Sequence, residues 1–312
     1  MPVLQEDRAR YDEFIEKQLK TLKSVDFYPE KTLWHYTSGT GLLGIIESGA
    51  LFATQVACLN DSTEVRYASA IFRDALVSAR KKHSGDAQID QLLQRITDEL
   101  IDDPSKPTHA PSWYFVACFS EHENDLSQWR AYCGGENGYA IGFRAGGLFG
   151  YPNSLVAQVN YNRDAHLAVA EQIAEATVCF YRDGLDKHRA ASPEAWVDEF
   201  LPVWMLKIEQ LAPLVKDHAF EAEKEYRVVH QLQNYEMCRL RFKQKDTLMS
   251  RYLPMQFPQA IAPRLPMLPI VGVKVGPTRH KEISRISVNT LLVQMGYGPG
   301  KVSVSDIPFQ KT

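Results

Sequence analysis

Trp113-Tyr114-Phe115-Val116-Ala117-Cys118-Phe119 is an unbroken apolar and aromatic run of strand length. It has no polar face to offer to water, so it predicts a central strand covered on both sides. A chain that contains it must set further strands beside it and pack other elements over its faces. With 312 residues, 45% of them apolar, the chain has material for that core.

The flanking pattern supplies those elements. Leu4, Tyr11, Phe14, Ile15, Leu19 and Leu22 recur at helical steps and predict an amphipathic helix over 4–24. A strand at Thr32–Thr37 leads into a helix at Gly41–Glu47 that stops at Ser48-Gly49, and Ala50–Thr54 reads as extended. Asp61 and Glu64 have the spacing of a capping box and open a helix running to about Lys81; a second covers 86–102, ended by Asp103-Pro104 and Lys106-Pro107. Leu126–Tyr132 reads as a short helix stopped by Gly134-Gly135, and Gly138–Phe143 as a strand. Further strands are expected at 154–161, 225–231, 238–243 and 270–275, with helices at 164–183, 192–211 and 279–296 and a last strand near 301–305. Strands and helices do not alternate as in a doubly wound sheet, so the class is α+β. The expected organisation is a helical arm over 1–30 and one domain over 31–312 with a helical insertion at about 164–211.

Several function classes fall away. The net charge is -3, so no global positive field exists to hold a duplex or an acidic membrane surface. The five cysteines are scattered without a C-x-x-C pair, so neither a disulfide framework nor a metal site is expected. The P-loop glycine pattern does not occur. The N-terminal residues are charged throughout and no apolar run approaches a membrane span, which gives the expectation of a cytoplasmic protein without membrane contact.

Three segments put polar residues where a strand or its flank should be apolar: Trp34-His35-Tyr36-Thr37-Ser38; Cys118-Phe119-Ser120 with Leu126-Ser127-Gln128-Trp129-Arg130-Ala131-Tyr132; and Glu223-Lys224-Glu225-Tyr226-Arg227-Val228-Val229. In the last, alternation predicts Glu223, Glu225 and Arg227 on one strand face, which is costly unless that face is a site or is wet. An edge strand with a solvated charged face, a hydrogen-bonded His35 and a Trp129–Tyr132 packing pair form the structural alternative.

In combination, HYTS, LND-x-x-E, CFSE, LSQWRAY, GYAIGF and ExEYR, scattered over roughly 33–275, resemble a bacterial domain-of-unknown-function family grouped with the ADP-ribosyltransferase superfamily, in its diphtheria-toxin-like or poly(ADP-ribose) polymerase-like branch. The resemblance implies an ADP-ribosyltransferase-like core of short, mainly antiparallel strands, with NAD as substrate and no metal. It implies Glu225 as the catalytic acid, together with His35 and an aromatic residue against nicotinamide: Tyr132, with Trp129 and Tyr114 as alternatives. The dinucleotide would be held by His35, Tyr36, Thr37, Ser38, Ser120, Trp129 and Glu223, and its diphosphate by Arg130 or Arg227. Arg227 is equally a structural partner for Glu223. A carboxylate suits such chemistry, because cleaving the nicotinamide glycosidic bond builds positive charge on the ribose.

The implied activity is transfer of ADP-ribose to a macromolecule, protein or nucleic acid, or to water, in a toxin or phage-defence setting. The rival expectation is an inactive module of the same fold that binds or senses. A third, nucleic-acid processing, rests on the interleaved basic and aromatic residues of Arg239–Lys245.

Overall fold

The computed structural model describes residues 3–22, 28–59, 63–99, 114–133, 138–187, 209–245, 248–257 and 268–308. Its contacts divide the chain into two compact units, each assembled from three separate segments: 1–24, 59–112 and 159–220 in one, 25–58, 113–158 and 221–312 in the other.

The first unit is helical. It contains α1 (Val3–Leu22), α3 (Thr63–Lys82), α4 (Ala87–Glu99) and α6 (Arg163–Lys187), with α6 packed on both α1 and α3. The apolar stripes that predict these helices are the buried ones: Ala68, Ile71, Phe72, Ala75 and Leu76 on α3, and Val169, Ala170, Ile173, Ala174 and Val178 on α6. Asp61 and most of the predicted 192–211 helix lie outside the described residues; 209–211 are helical.

His166 is buried in this unit between the Tyr67 hydroxyl, 2.9 Å from its Nδ1, and Asn160, whose carbonyl and side-chain oxygens are 3.0 Å from Nε2. Burial pushes its pKa down to about 4, against the weaker pull of the Asn160 carbonyl. The unfolded chain therefore binds the proton first. Stability is complete above about pH 6.5 and is lost as the pH falls toward about 4, by about 2 kcal/mol once solvent screening is allowed for. Urea midpoints across this window should fall in the parent and stay nearly flat in His166→Gln; parallel curves would remove His166 as the cause.

The second unit holds the sheet. Its strands are β1 (Thr32–Ser38), β2 (Leu51–Gln55), β3 (Tyr114–Ser120), β4 (Gly138–Arg144), β5 (Ser154–Gln158), β6 (Glu225–Gln231), β7 (Arg241–Lys245), β8 (Leu248–Met255), β9 (Ile270–Val275) and β10 (Val302–Val304), with helices α2 (Gly39–Ser48), α5 (Leu126–Tyr132) and α7 (Lys281–Gln294). Strand order is β10-β9-β4-β1-β3-β2-β8-β7, with β6 also on β3 and β5 on β6. All of these pairs are antiparallel except β9 with β10, so the unit is α+β with a mainly antiparallel sheet.

The apolar run is central as its composition requires: β3 pairs β6 along its whole length, β2 near its start and β1 near its end. Leu33, Phe115, Phe119, Ile141, Phe143, Tyr226 and Val228 fill the main core, which also takes Leu42, Ile45 and Ile46 of α2. Tyr36, Trp129, Cys133 and Ala140 form a smaller cluster. No described helix is long and apolar enough to cross a membrane.

Four local expectations are corrected. Glu223 is not on the glutamate strand: it ends a 3-10 segment, and Lys224, at φ 43°, turns the chain before β6 begins at Glu225. β6 is not a wet edge strand, because β3 and β5 flank it and its first six residues are buried. β5 stops at Gln158 rather than 161. The strand expected at 238–243 begins at Arg241, after a 3-10 segment (Asn234–Arg239) closed by reciprocal Gln233–Glu236 capping.

Candidate functional site

Three neighbouring strands carry the residues singled out in the sequence. Trp34 on β1 lies opposite Ser120 on β3, and Ser120 opposite Glu225 on β6. Register partners point to the same face of a sheet, so Trp34, Ser120 and Glu225 form one row, with Cys118 and Arg227 beside it. His35 follows Trp34 directly and therefore points to the other face, where its ring lies 5.7 Å from that of Phe119. The sheet brings the histidine and glutamate strands together, roughly 10 Å apart across β3 by strand spacing, and turns their side chains to opposite sides.

Glu225 is gripped by its own strand. Arg227 Nε donates to Oε1 at 2.8 Å and Nη2 to Oε2 at 2.9 Å, a bidentate pair with 4% and 1% of the two residues exposed. Arg227 thus faces Glu225; the Glu223 backbone carbonyl instead accepts a hydrogen bond from Ser120 Oγ at 2.9 Å.

His35 Nδ1 lies 2.8 Å from the Cys118 carbonyl. A carbonyl can only accept, so Nδ1 carries the proton and Nε2 keeps its lone pair. Burial holds the imidazole pKa below its ordinary value, with the Lys243 charge acting in the same direction.

The other candidates are built into the frame. Tyr36 donates its hydroxyl hydrogen to the His122 carbonyl at 2.6 Å and accepts from the Asp125 amide at 3.0 Å, fixing the β3–α5 connection. Burial pushes its phenol pKa well above the usual range. Trp129 is buried edge-on against Tyr36 and donates Nε1–H to Asn124, and Tyr132 packs partly buried on the same cluster, so this part of α5 serves as packing. Ser38 caps α2 by accepting from the Gly41 amide at 3.2 Å. Thr37 sits so close behind that turn that a Cβ on Gly41 would stand 2.0 Å from its Oγ1. Arg130 is exposed; Tyr114 is buried at the far end of β3 from Ser120.

Two clusters escape a reading of the sequence. Lys31 pairs with Glu121 and donates to the Tyr226 hydroxyl at 3.3 Å. Burial alone would lower the ammonium pKa, but these two bonds outweigh it and raise it; Glu121 is correspondingly held low. The second joins Ser154, His230, Glu236 and Tyr151. Its one sequence signal is the Gln233-x-x-Glu236 spacing, which marks Glu236 as fixed at a turn.

A family described as a protein of unknown function (DUF2971) matches residues 128–228, about a third of the chain. The match starts within α5 and ends within β6, so it includes Trp129, Arg130, Tyr132, Glu223, Glu225 and Arg227 and leaves out His35 and Ser120. No curated protein and no solved structure gives a significant match.

Proposed function

We propose that the β1–β3–β6 cluster is an ADP-ribosyltransferase-like module that recognises NAD without cleaving it. The observation that carries this reading is the separation of the catalytic pair that the resemblance implies: His35 and Glu225 project from opposite faces of the sheet. The arginine clasp agrees with it, because a carboxylate with both oxygens engaged has little freedom to meet a developing oxocarbenium. In this reading Glu225 and Arg227 shape the sheet, while His35, neutral and with Nε2 open, remains an acceptor for a ligand hydroxyl.

A second reading, turnover of NAD with transfer to a protein, a nucleic acid or water, draws on one specific feature. Glu225 is the first residue of β6, directly after the left-handed Lys224, so its carboxylate stands at a strand end beside a turn.

Calorimetry with NAD, run beside an assay for released nicotinamide, separates the two. The first reading expects measurable NAD binding and no nicotinamide from either the parent or Glu225→Gln. Nicotinamide released by the parent and abolished in a folded Glu225→Gln would establish turnover instead. Absence of NAD binding would discard both.

A further inference from the structure

Ser154, at the start of β5, stands opposite His230 on β6, and its Oγ lies 3.1 Å from His230 Nδ1. The other ring nitrogen, Nε2, lies 2.7 Å from Glu236 Oε2. Since a carboxylate accepts, the neutral imidazole donates Nε2–H to Glu236 and presents the Nδ1 lone pair to the serine hydroxyl. This is the arrangement of an activated nucleophile: hydroxyl, base, and an anion that fixes the tautomer and stabilises the imidazolium.

The supporting shell is complete. Glu236 also accepts from the Gln233 amide at 3.0 Å, the Tyr151 hydroxyl at 3.3 Å and Arg239 Nη1 at 3.4 Å, while the Tyr151 ring stands edge-on to His230 at 5.1 Å. Burial alone would raise the Glu236 pKa, but the Gln233 and His230 bonds outweigh it and keep the carboxylate ionised. His230 and Glu236 are buried, at 0% and 2% exposed, whereas Ser154 is partly open to solvent. Asn153, immediately before it, is held at φ 55°, and its carbonyl accepts from the Gln231 amide. Ladder alternation then turns the Ser154 N–H away from β6, toward the edge of β5 where no strand is paired among the described residues. There it can receive the oxyanion of a carbonyl attacked by its own side chain.

We propose that Ser154 is a catalytic nucleophile that accepts an acyl group from a carboxylic ester, with His230 as its base and Glu236 as the positioning residue. The Oγ–H proton passes to His230 Nδ1 as Oγ bonds to the acyl carbon, and the ester C–O bond breaks. An alkoxide takes the proton back from His230; a phenolate leaves as the anion, and His230 then gives its proton to solvent, so that either way it is again the neutral base. Water then releases the acid by the same proton route. These residues take no part in the NAD reading, and neither proposal depends on the other.

The test treats the full chain with a fluorophosphonate probe, maps the label by mass spectrometry, and follows p-nitrophenol release from p-nitrophenyl acetate. The expected result is a single label on Ser154, lost in Ser154→Ala, with ester cleavage reduced at least about 100-fold. Glu236→Gln should slow labelling more than about tenfold. No label on the parent, labels scattered over several serines, or labelling that persists in folded Ser154→Ala would overturn the proposal. Ser154 is partly exposed, so its alanine variant decides the matter even where Glu236→Gln fails to fold.

Discussion

Arg227→Ala should unfold at markedly lower urea, with a loss of about 3–5 kcal/mol, because it leaves the Glu225 carboxylate buried without its counter-charge. The cost arises mainly from burying a carboxylate that has lost its bidentate guanidinium, not from the attraction that is lost. The double variant Glu225→Leu with Arg227→Met removes both charges at similar volume and should recover most of the loss. That recovery separates a burial penalty from a general defect in β6. If Arg227→Ala costs less than about 1 kcal/mol, the pair is as cheap to break as an exposed one, and its role as a structural clasp fails.

Phe119→Ala should cost a comparable amount, about 3–5 kcal/mol. The ring is 2% exposed, stands edge-on to Phe143 at 5.6 Å and flanks His35. Its removal opens a cavity in the middle of the sheet, while Phe119→Leu should cost less than about 1.5 kcal/mol. The alanine variant also admits water beside His35, so the imidazole pKa should rise toward its ordinary value, as followed by NMR titration. An unmoved His35 would mean that its burial comes from other walls.

Most strands and helices could be read from the chain because their signals are local. The apolar run of β3, the glycine-bounded β4 and the periodic stripes of α3 and α6 each carry their own pattern. β8 escaped: Leu248-Met249-Ser250-Arg251-Tyr252-Leu253-Pro254-Met255 mixes charge and proline into a strand, and its pairing to β2 supplies what its composition does not. Glu223 was misplaced by two-residue alternation, since nothing in that period announces the left-handed Lys224. The opposite facing of His35 and Glu225 follows from two registers in series, Trp34 with Ser120 and Ser120 with Glu225, and no local pattern encodes a register. The same holds for Ser154 and His230, ordinary residues until β5 is laid against β6.

The segmental make-up of the sheet unit also bears on how the protein is made. β1 is synthesised before its neighbours β3 and β4, β4 awaits β9, and β3 awaits β6, which emerges only after the 159–220 segment of the helical unit. At ordinary synthesis rates of about 5–20 residues per second, β1 and β3 spend several seconds to tens of seconds with an open edge and an uncovered apolar face. Contacts this distant along the chain also slow folding itself. The nascent protein therefore passes through an interval of seconds in which the apolar Trp113–Phe119 run lacks its β6 neighbour, and its yield in a cell depends on how well that run is shielded until β6 arrives.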